Sequence, residues 1–277
     1  MIDFFNLPFI QTSLTASLFA GMALSLLGFF IVMKRLSISG LAVSQMSALG
    51  TVLGILIGNL LSVEFHHISF APAFLAVLGS FSLLSILTRV KRISSEIWVS
   101  LFYVLGAAIS ILILSKAPWG EAHTLNIFFG NVLTLGKIEV VESIILFLMT
   151  VLILGSWFRR WTYISFDAQA AEVSGIKIKL WDIGFYALFS FAMTLSIHLF
   201  GVFLAFAYLI LPTGIALLLF KKLRAVLLFI PTVTFLTTLL GFMVSFFQDF
   251  PTGPMIASFL AGITVIAGIF YLTIHKN

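Results

Sequence analysis

The sequence predicts an all-α, polytopic membrane bundle of eight to nine spans, with the N-terminus outside and the C-terminus in the cytoplasm. Three observations predict it. Hydrophobic residues make up 61% of the 277 positions and charged residues only 9%, whereas a soluble chain carries about 25% charged residues. The mean hydropathy is +1.20. The apolar residues fall in runs close to the roughly 20 residues that a membrane helix needs, not in the ten-residue alternating strands of a barrel. Nine such helices would use roughly 180 positions, so no separate soluble domain fits, and the whole of 1–277 reads as one transmembrane domain.

Nine apolar segments run approximately over 12–33, 41–60, 69–88, 97–115, 139–157, 183–200, 202–219, 226–247 and 254–273. The first is preceded by Asp3 and no basic residue, which is unlike a cleavable signal. The sixth and seventh meet at Phe200-Gly201, which requires a tight turn. Pro212 interrupts the seventh and predicts a kink, read either as static or as a hinge beside a pathway.

Lys and Arg set the orientation. With Lys34 and Arg35 in the cytoplasm and the chain alternating, 13 of the 15 basic residues are cytoplasmic, and only Lys116 and Lys137 lie outside. The net charge of +5 is therefore a topology signal and an anionic-lipid contact, not a nucleic-acid patch.

Chemistry inside the spans is sparse. No Asp, Glu, Lys or Arg falls near a span centre, where proton-coupled carriers and intramembrane enzymes keep such groups. Gln45 is the only long polar side chain near a span interior, and it lines a pathway or bonds across helices. Gly50, Gly54 and Gly58 form a small-residue face suited to close helix packing. His198 lies at the outer end of its segment. Glu64, His66 and His67 form an external cluster of candidate metal ligands, and Glu121 with His123 forms a second pair. With no cysteine, disulfides and thiolate sites are excluded. The stretch Gly130 to Ile138 imitates a phosphate loop but has five residues between its glycines and no Ser or Thr after the Lys. The chain thus shows no ATP site and is expected to bind no cofactor of its own; if it moves a solute uphill, another subunit must supply the energy.

Between Arg159 and Asp182 the longest internal segment carries a predicted short helix at 165–175. Ser165 or Asp167 caps its start, alanines fill it, and Gly175 ends it. Its small, polar face suits contact with a protein.

Taken together, Lys34-Arg35 with Ser37 and Gly40, SFDAQAAEVSG at 165–175, the G-x-x-L-x-x-A-x-L-x-x-P run from Gly201 to Pro212, and D-x-P-x-G-P at 249–254 resemble the permeases of ABC importers for zinc, manganese and iron, the ABC-3 family. The resemblance implies a homodimeric permease in the bacterial inner (cytoplasmic) membrane. It also implies cytosolic ABC ATPase subunits that hold ATP and magnesium, and an external metal-binding protein that delivers the ion. It assigns Phe166, Asp167, Ala170, Ala171 and Gly175 to a coupling helix, and Phe128 to Leu133 to an outer gate. Leu41, Gln45, Pro212 and His198 are the candidate path residues. One departure concerns the ligands: where the family has Asp and His after the glycine matching Gly40, this chain has Leu41 and Gln45. Two alternatives follow: a permease for a chelated metal or another small solute, and a membrane receptor or scaffold that transports nothing.

Overall fold

The computed structural model describes residues 7–61, 69–87, 93–116, 127–130 and 132–274. Among them there is no strand, and nearly every residue is helical. The elements are α1 (Pro8–Met33), α2 (Ser37–Leu61), α3 (Phe70–Leu87), α4 (Ser95–Lys116), a 3-10 turn (Val132–Thr134), α5 (Lys137–Phe166), α6 (Ala168–Val173), α7 (Ile178–Leu219), α8 (Leu223–Gln248) and α9 (Thr252–Ile274). Seven of the described helices are long and apolar enough to cross a membrane, and α3 is a shorter apolar helix. α1 is a central element: it packs on α5, α7 and α8, and most of its residues are buried.

α7 joins the sixth and seventh predicted segments into one element of 42 residues, broken at Gly201 (φ 79°, ψ 170°). Phe185 packs on Phe30 of α1, and the Leu209 carbonyl packs on Gly28 of the same helix. A straight helix would place residues 185 and 209 about 36 Å apart at 1.5 Å per residue, yet they meet α1 two positions apart. The chain therefore doubles back at Gly201, and the halves of α7 run antiparallel. That backbone conformation is open to glycine almost alone. The backbones of Gly130 (φ 72°) and Gly201 approach so closely that a Cβ on either would overlap the other segment's backbone. Gly253, in the first turn of α9, meets the Phe129 carbonyl oxygen at the same end, where an added Cβ would come within 3.0 Å.

The boundary of α5 differs from expectation. Hydropathy placed its end near residue 157, but the helix continues to Phe166. No breaker occurs before Asp167, and the extension buries Trp161 and Ile164. Trp161 Nε1 donates to the Trp181 carbonyl at 3.2 Å, and its ring meets those of Phe30, Trp157, Trp181 and Phe185. Arg159 and Arg160 consequently sit on a helix rather than in a loop. The small-residue face of α2 serves packing: a Cβ at Gly50 or Gly54 would lie 2.5 Å from Ala73 Cα or Ser69 Cα, respectively. α2 can lie against the start of α3 only because those side chains are missing.

A candidate translocation cavity and a docking face

Leu41 and Gln45 are one helical turn apart on α2 and share a face. They line a cavity of about 440 Å³ together with Tyr103 and Ile111 of α4, Phe128 and Phe129, and Val202, Phe203 and Phe206 of α7. Gly106 of α4 rests on the backbone of Gln45, where a Cβ would lie 2.7 Å from the Gln45 carbonyl carbon. Gln45 is only 7% exposed, and its Oε1 has no hydrogen-bond partner. A buried amide oxygen without a partner is costly, so this acceptor is set to receive a donor from a solute in the cavity.

The rest of the wall is apolar. Five of the nine lining residues are aromatic, and the rings of Phe129 and Phe203 are 6.5 Å apart. Of the segment expected to form an outer gate, residues 127–129 form a helical turn, Gly130 breaks it, and Val132–Thr134 forms the 3-10 turn. Thr12 of α1 donates to the Leu135 carbonyl at 2.8 Å, tying this segment to the bundle.

The other candidate path residues lie elsewhere. His198 is 3.2 Å from Ser69 Oγ through Nε2 and 3.0 Å from the Thr194 carbonyl through Nδ1. The carbonyl can only accept, so Nδ1 carries the proton and Nε2 accepts from the serine. His198 thereby joins α7 to the start of α3 and is not a wall residue of the cavity. Pro212 is buried and also stands away from it. Glu64, His66 and His67, like Glu121 and His123, lie outside the described residues; among the described residues no group of three His, Cys, Asp or Glu side chains could hold a metal ion.

At the opposite end of the bundle, α6 is a six-residue helix. Asp167 caps it, accepting from the Ala170 amide at 2.9 Å, while Ser165 bonds back to the Trp161 carbonyl within α5. Gly175 (φ 80°) ends it, with the Ile176 amide donating to the Ala171 carbonyl at 3.1 Å. Ala171 is fully buried against the chain itself, so it positions the helix and does not face outward. Ala170 is half-buried, and Phe166, Asp167, Gln169, Glu172 and Gly175 are exposed. Val173 is 90% exposed and forms the tip of this face. Sequence reasoning passed over it because a lone valine in an apolar chain carries no signal.

A profile of the ABC 3 transport family matches residues 6–271. The chain belongs to this family. It is a multi-pass membrane protein and a transporter component. A probable metal transport system membrane protein of Chlamydia pneumoniae is 26% identical over 272 residues, covering 96% of this chain and 90% of that one. The chelated iron transport system membrane protein YfeD of Yersinia pestis is 25% identical over 266 residues, with 96% and 86% covered. In fold, the chain is similar to a chain of PsaBC from Streptococcus pneumoniae solved in complex with Fab, with a TM-score of 0.85, 20% identity, and 100% and 98% covered.

Proposed function

We propose that this chain is the permease subunit of an ATP-binding-cassette importer that carries a metal across the bacterial inner membrane. The family match over nearly the whole chain carries this reading, and relatives of full length are named for metal and chelated-iron transport. In this proposal two copies form the permease, a cytosolic ATPase docks on α6, and an external binding protein delivers the metal above the cavity. The distribution of basic residues supports an N-terminus outside and α6 in the cytoplasm.

The docking role has a direct test. Val173→Asp and Ala170→Arg alter an outward face, so membrane insertion is expected to stay normal while copurification of the ATPase is lost. A Ser174→Cys variant is expected to react with an impermeant thiol reagent only from the cytoplasmic side. Undiminished ATPase assembly in both face variants would reject docking at α6.

The cavity favours a second reading of the cargo, a chelated metal. A divalent ion leaves water only for carboxylate, imidazole or several carbonyl ligands. This wall offers one amide, one phenol and a set of apolar and aromatic side chains, which suits a solute whose metal is already coordinated. Its volume lies within the range of small-molecule sites. Leu41→Asp combined with Gln45→His is expected to create a zinc and manganese site where the native permease shows weak binding by calorimetry. Tight binding by the native chain, unchanged in the double variant, would place the ligands elsewhere, with Glu64, His66 and His67 the next to examine.

A further inference from the structure

The cavity and the docking face are at different places in the bundle, and an ion pair, Lys34 with Asp182, lies between the elements that carry them, beside the direct packing of α7 on α1 and α2. Lys34 closes α1 and donates to the Asp182 carboxylate in the second turn of α7. The Lys34 side chain is only 8% exposed and that of Asp182 27%. The ammonium also lies over the rings of Phe185 and Tyr186, 5.0 and 5.5 Å from their centroids.

On one side of the pair stands the block that carries α6. Phe30, Phe158, Trp161 and Phe185 pack ring on ring, Trp161 is tied to the Trp181 carbonyl, and α6 is seated on this block through buried Ala171. On the other side stands α2. Only Lys34, Arg35 and Leu36 separate α1 from α2. Arg35 is held in the left-handed region at φ 57°, and the Leu36 amide donates to the Ile31 carbonyl at 2.9 Å. Such a connection has no slack. Leu41 and Gln45, the two α2 residues of the cavity wall, follow Lys34 by about two and three helical turns.

Replacing a buried ion pair with apolar side chains often leaves stability unchanged or raises it, whereas a directional pair can fix one arrangement among several. Stability alone therefore does not account for a charge pair at this joint. We infer that Lys34 and Asp182 are positioning residues that transmit movement of the docking block to α2 and so to the cavity wall. This rests on the docking reading of α6.

The chain has no cysteine, so a Leu41→Cys reporter in the cavity wall is read without background. In the assembled complex with its ATPase, the labelling rate of this reporter is compared without nucleotide and with ATP trapped by vanadate. The expected result is a change of roughly fivefold or more, the lower end of coupling factors between linked sites. Adding Lys34→Met or Asp182→Asn is expected to flatten that change to less than about twofold, with ATPase still bound and still hydrolysing ATP. Lys34→Arg, and the exchange Lys34→Asp with Asp182→Lys, are expected to restore it. A full nucleotide-dependent change in the Lys34→Met or Asp182→Asn background would overturn the inference. So would no change in the Leu41→Cys parent, or loss of the ATPase from both pair variants, which would make the pair a support for docking. Failure of docking itself is separately visible, as an ATPase that stays bound in the Val173→Asp variant.

Discussion

Gly201→Ala is expected to abolish accumulation of folded protein. Two costs combine at this position. The conformation φ 79°, ψ 170° is one that a residue with a Cβ holds only at about 1–3 kcal/mol or more. In addition, the new methyl group would overlap the Gly130 amide nitrogen and approach the Phe129 carbonyl carbon to 2.8 Å. Those atoms are backbone, so no rotamer change relieves the clash, and overpacking of this kind adds roughly 1–3 kcal/mol. The sum, roughly 2–6 kcal/mol or more, reaches the lower end of the roughly 5–15 kcal/mol stability of an ordinary domain. Gly130→Ala faces the same approach from the other side and is expected to behave alike. Gly184→Ala, at a helical position with open space around it, is the control. Detergent-solubilised yield and thermal unfolding followed by size exclusion would check the set, and a Gly201→Ala protein as stable as the Gly184→Ala control would refute the hairpin geometry.

The second large effect is expected at Gly28. Its Cα faces the Leu209 carbonyl, and a methyl group there would overlap that oxygen and lie 2.8 Å from the carbonyl carbon. Leu209 is three residues before Pro212, in the turn that precedes the proline. Gly28 meets the Leu209 carbonyl at close range, the geometry of a weak Cα–H···O contact in which the glycine donates. Nearby, Tyr208 hydrogen-bonds Thr238 of α8 at 2.6 Å, and its ring leaves a Cβ at Gly21 only 3.0 Å of room. The segment before Pro212 is thus held between α1 and α8, which favours a static joint over a hinge. Gly28→Ala is expected to destabilise the protein by roughly 3 kcal/mol or more, beyond ordinary core overpacking. Pro212→Ala is expected to cost less, because it restores a donor without adding bulk. Thermal unfolding of the two variants decides: a tolerated Gly28→Ala together with a transport-dead, fully folded Pro212→Ala would restore the hinge.

Much of this architecture can be read from the residues alone, for reasons that differ by element. The apolar runs mark the helices because lipid tolerates little else, and Phe200-Gly201 marks a turn because two adjacent runs leave no room for a loop. The end of α5 could not be read in the same way. Hydropathy reports what a helix faces, not where it stops, and residues 158–166 continue the helix by burying Trp161 and Ile164 inside the bundle. Gln45 stands out as the only long polar side chain near a span interior and Leu41 only through resemblance to a family pattern, and both line the cavity. Tyr103, Phe203 and Phe206 were not legible, since among 31 phenylalanines an aromatic residue carries no positional information. Lys34 was visible only as a topology charge. Its partner Asp182 is 148 positions away, and nothing local announces such a pairing.

The junction where Gly130, Gly201 and Gly253 meet has a consequence for leakage. Three stretches of main chain touch there without intervening side chains, and Phe128, Phe129, Val202 and Phe203 hang from either side of the contact into the cavity. A wall suspended in this way is expected to move as one leaf. Half-open states, in which one ring has moved and its neighbour has not, would need backbones in hard contact to slide past each other. A passage closed by a single leaf would be shut or open and seldom ajar, and would leave protons and stray ions few moments to slip through.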